Sequence, residues 1–132
     1  MSKHSGAVPF ILTAGATFSK TDLYKFVSVN SSGHAIVAGS SSPASTIGTL
    51  HSVTNTTNAA GSETVTVHAL IGVGPVRMAG STRHVGQTVA NSSRGLGVLP
   101  STDGIQIGTI VAGSSGSTGR IVQVAFGLAA AV

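Results

Sequence analysis

The chain has 132 residues, enough for one ordinary domain, with seven Lys and Arg against three Asp and Glu and a formal net charge of +4. It contains no Cys and no Trp, and only 8% of its residues are charged. This composition excludes disulfides and thiolate metal sites, and it requires a core of small aliphatic side chains. The scattered basic residues argue against nucleic acid as a partner, and the apolar runs are too short for a membrane-spanning helix.

Hydrophobic alternation with a period of two runs through the chain, as where Val65 and Val67 alternate with Thr64 and Thr66. This pattern predicts ten strands, near residues 8–13, 23–29, 34–38, 46–53, 63–71, 75–78, 87–90, 96–99, 105–111 and 120–128. Clusters of Gly, Ser, Asn and Pro between them predict turns at 30–33, 39–43, 55–58, 92–95, 100–104 and 113–119. The sequence is therefore typical of an all-β protein.

An internal repeat relates the two halves of the chain. Ile47-Gly-Thr-Leu50 recurs as Ile107-Gly-Thr-Ile110, and each copy follows a Ser-rich turn and precedes a long strand. We assign the repeats to residues 17–80 and 82–132, and expect neither half to close a core alone. The prediction is a small β-barrel or β-tulip-like single domain, residues 14–132, built from two similar β units.

The N-terminal segment, residues 1–13, stands outside this repeat. Its apolar run has no obvious partner in the repeat scheme, and it is too short and contains Pro9, unlike a signal peptide. We expect either an edge strand that closes the barrel or an arm that reaches a neighbouring subunit. The apolar tail, residues 126–132, poses the same choice.

The sequence holds no convincing catalytic or metal-binding motif. Its carboxylates, Asp22, Glu63 and Asp103, stand where turns or strands begin, and no two of its five histidines are close in sequence. No Gly-x-Ser-x-Gly elbow occurs. We therefore expect no enzyme activity, no catalytic residues, no metal and no cofactor.

Several segments together resemble the small capsid decoration (cement) proteins of tailed bacteriophages. The matching segments run from about Ala14 to Phe126 and comprise 14–26, 32–38, 47–49, 65–69, 85–90, 107–109 and 122–125. The resemblance rests on β segments and glycines, and it covers most of the chain. It implies a compact β-barrel or β-tulip that binds the outside of an assembled head as a trimer and stabilises it by bridging subunits of the major capsid protein.

The same resemblance implies synthesis in the host cytoplasm and a final location on the outer surface of the virion. Large apolar side chains dominate interface energy, so we expect capsid or subunit contacts at Val8, Phe10, Ile11, Leu12, Phe18 and Tyr24. Two alternatives stay open. One is another virion subunit, at the head–tail joint or in the tail tube. The other is a carbohydrate-binding β module, which a single Tyr and no Trp disfavour.

Overall fold

The computed structural model describes residues 8–38, 46–53, 57–58, 63–79, 85–91, 95–98, 106–113 and 119–127. These residues form one short 3-10 helix, Lys20–Asp22, and twelve strands. The strands are β1 (Pro9–Thr13), β2 (Phe18–Ser19), β3 (Phe26–Val29), β4 (Ala35–Val37), β5 (Gly48–Val53), β6 (Thr57–Asn58), β7 (Thr64–Ala69), β8 (Val73–Arg77), β9 (Thr88–Asn91), β10 (Gly97–Val98), β11 (Gln106–Ala112) and β12 (Ile121–Phe126). The predicted all-β, barrel-like fold is confirmed.

The strands pair into two antiparallel five-stranded sheets, one of which curls into a half-barrel. The first sheet has the order β1-β7-β5-β3-β4, and the second has the order β8-β12-β11-β9-β10. When the five strands of each sheet are numbered by their order in the chain, both sheets read first, fifth, fourth, second and third from one edge to the other. The two sheets therefore share one topology, and along the chain the last strand of the first sheet ends at Ala69 and the first strand of the second begins at Val73.

The two copies of Ile-Gly-Thr occupy equivalent places in these sheets. Gly48 pairs with Ala69 and Gly108 with Phe126, and each pairing is followed three residues on by a β-bulge, at His51 and at Val111. A third, two-stranded sheet of β2 and β6 belongs to the first unit alone among the described residues. The sequence did not predict that small sheet, and β6 occupies part of the turn predicted at 55–58.

Two hydrophobic cores lie under the sheets. The first contains only residues of the first unit: Ala14, Phe18, Val27, Ala35, Leu50, Val65 and Val67. The second contains Val76, Met78, Val89, Ile107, Ile110, Val122 and Val124 of the second unit, together with Phe26 and Ala38 of the first. Phe26 is fully buried there, which is worth about 1.5–3 kcal/mol. The second core is thus completed by the first unit.

The turn predicted at 30–33 lies wholly within the described residues, and it is confirmed. Asn30 accepts hydrogen bonds at its Oδ1 from the backbone of Ser32 and His34, at 2.9 and 3.0 Å, which closes the predicted turn at 30–33. Residues 1–7 of the N-terminal segment, the tail from 128, the turns at 39–43 and 100–104 and most of the other predicted turns lie outside the described residues.

Candidate interaction surfaces

The described part of the N-terminal segment forms an edge strand, β1. β1 pairs with β7 from Pro9 opposite His68 to Thr13 opposite Thr64, and the Ala69 N–H donates to the Val8 carbonyl at 2.9 Å. In the first sheet β1 holds the place that β8 holds in the second. The internal repeat did not reveal β7 as the partner of β1. Pro9–Thr13 and Val73–Arg77 occupy equivalent edge positions in the two sheets, but their sequences differ.

The six predicted contact residues separate into three environments. Phe10 and Leu12 pack against the first core, and Phe18 lies fully inside it. Val8 and Ile11 face outward, with 45% and 68% of their surfaces exposed. The half-buried Tyr24 lies in a different place, in the turn after the 3-10 helix. Of the six, Val8 and Ile11 are the ones that the structure leaves exposed, and Phe18 offers no surface to a partner.

The edges of the two sheets differ in how they are protected. In β8, Pro75 carries no N–H, and the Arg77 N–H donates to the Tyr24 carbonyl at 2.9 Å, so this edge has little left to offer another strand. In β1, antiparallel alternation turns the backbone of Ile11 outward. Directly after β1, Ala14 forms a parallel bridge with Ala35 of β4, and among the described residues no strand pairs with the outer edge of Pro9–Thr13 itself.

Apolar side chains group on the outer face of the second sheet, with the exposed Gln123 and the half-buried Arg77 among them. Val122 and Val124 point into the core, so their neighbours Ile121 and Ala125 point outward, and Ala125 pairs with Val73. Val111, the exposed residue in the bulge, corresponds to His51 of the first sheet. Because the His51 ring lies on the outer face of the first sheet, we place the Val111 side chain on the outer face of the second. Val73, Val111 and Ile121 have 36%, 45% and 40% of their surfaces exposed.

The outer face of the first sheet is polar at four equivalent positions, whereas Pro9 takes the place of Val73 and the exposed Ile11 lies on the same face. The registers match Ile121 with Thr64, Ala125 with His68, Val111 with His51 and Ala112 with Ser52. A shared backbone therefore carries two different outer surfaces. Exposed apolar side chains grouped on one sheet face are typical of an interface.

Three aromatic side chains gather on this polar face. The His51 and His68 rings stack with centroids 3.6 Å apart and an angle of 15° between planes, and the Tyr24 ring lies edge-on to His51 at 6.4 Å. The bulge at His51 brings its ring beside His68 on the adjacent strand. We call these three residues the Tyr-His cluster. The sequence predicted a contact at Tyr24 but not at the two histidines, although His51 follows the first Ile-Gly-Thr-Leu where Val111 follows the second Ile-Gly-Thr-Ile.

Tyr24 adopts a backbone conformation that disfavours its side chain. Its φ is +70°, the one positive value at a non-glycine residue in the described part of the chain. The Tyr24 N–H donates to Leu50 O at 2.7 Å, as the Gly86 N–H donates to Ile110 O at 2.8 Å, so the two positions are equivalent. Gly86 has a φ of +94°. The second unit thus places glycine where the first unit keeps a strained tyrosine.

The described residues contain no group of three or more His, Cys, Asp or Glu side chains that could hold a metal ion. Within the same ranges, no helix is long and apolar enough to cross a membrane.

Comparison with known proteins does not assign the chain to a family. No protein-family model matches it, and neither the curated proteins nor the solved structures include a significant match.

Proposed function

We propose that this protein is a structural, non-enzymatic virion protein that decorates and stabilises an assembled phage capsid. The observation that carries the proposal is the group of apolar side chains around Gln123 on the outer face of the second sheet, Val73, Val111, Ile121 and Ala125, where the first unit has polar residues at three of the four positions. Such a difference between equivalent surfaces is expected when one of them is buried against another protein. The resemblance to decoration proteins supplies the identity of that partner, the major capsid protein.

The physical role would be stabilisation by binding. A protein that binds the assembled shell but not its separated subunits favours the shell by mass action, by about 2.7 kcal/mol when its free concentration is a hundred times the Kd. A bridging protein needs more than one contact surface. The exposed edge of β1, with Val8 and Ile11, and the apolar face of the second sheet supply two such surfaces.

The test is to mix the purified protein with bare, expanded phage heads and image them, then measure the temperature at which the heads break open. We expect the protein at regular lattice positions, as trimers, and a higher rupture temperature. Random or absent binding with no gain in heat resistance would contradict the proposal.

A pair of matched substitutions tests the surface. Val73→Thr adds a hydroxyl to the apolar face without changing its shape, and Val29→Thr makes the same change at a valine of similar exposure, 38% against 36%, in the first unit. We expect Val73→Thr combined with Ile121→Thr to weaken binding about tenfold, since each buried hydroxyl without a partner opposes association. Val29→Thr should bind like the unchanged protein.

A further inference from the structure

We infer that the Tyr-His cluster, Tyr24, His51 and His68, is a recognition site for an acidic patch on the protein that this chain binds. The inference rests on the proposed function for the identity of that protein, the shell subunit. It assigns a second contact, different in chemistry from the apolar face of the second sheet.

The first argument is the strained backbone of Tyr24. A left-handed conformation is unfavourable for a non-glycine residue, because its Cβ crowds the backbone, and the second unit avoids that cost with Gly86. Strain of this kind persists where the surrounding structure holds it and the side chain is needed. Here the Tyr24 N–H bonds to Leu50, its carbonyl accepts from the Arg77 N–H, and Arg77 Nε donates to the Leu23 carbonyl at 2.8 Å.

The second argument is the way in which the two units differ. At the three equivalent positions the second unit has Gly86, Val111 and Ala125, none of which has a polar side chain. The whole cluster is therefore present in one unit and missing in the other. The fold itself does not require it, since the second unit forms the same bulge and the same turn without it.

The third argument is charge. The segment that carries Tyr24 also holds Lys20 and Lys25, and Arg77 is bonded to it, against the single carboxylate of Asp22. Asp22 is paired with Lys25 at 2.8 Å. Glu63 lies at the far end of β7, five residues from His68 and therefore roughly 16 Å away along the strand.

These surroundings favour a carboxylate-rich partner. A tyrosine hydroxyl and imidazole N–H groups donate hydrogen bonds, and the exposed Lys20 of the same segment attracts carboxylates over a longer range. Electrostatic complementarity of this kind sets the orientation of a complex and its association rate. The cluster would thus fix how the domain sits on the shell, while the apolar face supplies contact area.

The experiment exchanges each residue for its counterpart in the second unit, as Tyr24→Gly, His51→Val and His68→Ala. We expect each variant to keep its fold, with the thermal midpoint of Tyr24→Gly unchanged or raised, and to bind bare phage heads about tenfold more weakly. Tyr24→Phe, which loses only the hydroxyl, should fall between. His34→Ala, at a half-buried histidine outside the cluster, should bind normally.

The outcomes separate this inference from the proposed function. If the unchanged protein binds heads and the three variants bind equally well, the recognition site is wrong and the proposed function stands. If the unchanged protein does not bind heads, the proposed function is wrong, and titration with a polyglutamate peptide decides the inference. Shifts of the His51 and His68 ring resonances that high salt abolishes, and that polylysine does not cause, would support it. No shift, or tight binding of Zn²⁺ by the two histidines with no response to polyglutamate, would overturn it.

Discussion

The glycine of each Ile-Gly-Thr motif lies so close to the neighbouring strand that a side chain would not fit there. A Cβ on Gly48 would overlap the His68 carbonyl oxygen and lie 2.6 Å from Val67 Cγ1, and a Cβ on Gly108 would lie 2.5 Å from the Ala125 carbonyl oxygen. The obstacle in both sheets is the backbone of the neighbouring strand, which cannot move without separating the pair. Gly48→Ala and Gly108→Ala should therefore each destabilise the fold by about 3 kcal/mol or more, measured by urea unfolding.

A third glycine provides the control at the same scale. Gly33 has a φ of +80°, but a Cβ there would meet nothing within 4 Å. Gly33→Ala should cost only the left-handed conformation, about 1 kcal/mol. If Gly33→Ala destabilised the protein as much as Gly48→Ala, close approach between strands would not be the reason for the glycine in Ile-Gly-Thr.

Among the elements, β8 is linked to the first unit by hydrogen bonds of Arg77 as well as by the second core, and Arg77 also holds Gly119 of the second unit. Its Nε donates to Leu23 O at 2.8 Å, its Nη1 to Gly119 O at 3.1 Å, and its backbone N–H to Tyr24 O. Lysine cannot reproduce this planar arrangement of donors. We expect Arg77→Lys to lower the free energy of unfolding by about 2 kcal/mol. Arg120→Lys, an exposed arginine beside β12, should change it by less than about 0.5 kcal/mol.

All ten strands predicted from hydrophobic alternation exist, because side chains such as Val65, Val67, Val122 and Val124 alternate between core and surface. The pairing of β1 with β7 could not be predicted, since a strand's partner depends on topology rather than on its own residues. The Tyr-His cluster was hidden for a related reason. Tyr24 and His68 are 44 positions apart in the sequence, and only the sheet brings them to one face.

For the molecule as a whole, the two units depend on each other unequally. Every buried residue of the first core comes from the first unit, whereas the second core includes Phe26 and Ala38 from the first. The Phe26 N–H also donates to Gly95 O at 2.8 Å, which joins β3 to the turn before β10. The expectation that neither half can close a core alone therefore fits the second unit better than the first.

This asymmetry leads to a prediction for the separated halves. A fragment of residues 71–132 lacks Phe26 and Ala38, and at this size a core has little stability to lose. We expect it to be unfolded alone, with poorly dispersed amide resonances in its NMR spectrum, and to become dispersed when a fragment of residues 1–70 is added. A Phe26→Ala version of the added fragment should fail to restore that dispersion, because the second core would then lack its largest side chain from the first unit. Cooperative unfolding of residues 71–132 by themselves would show instead that the second core is independent of Phe26.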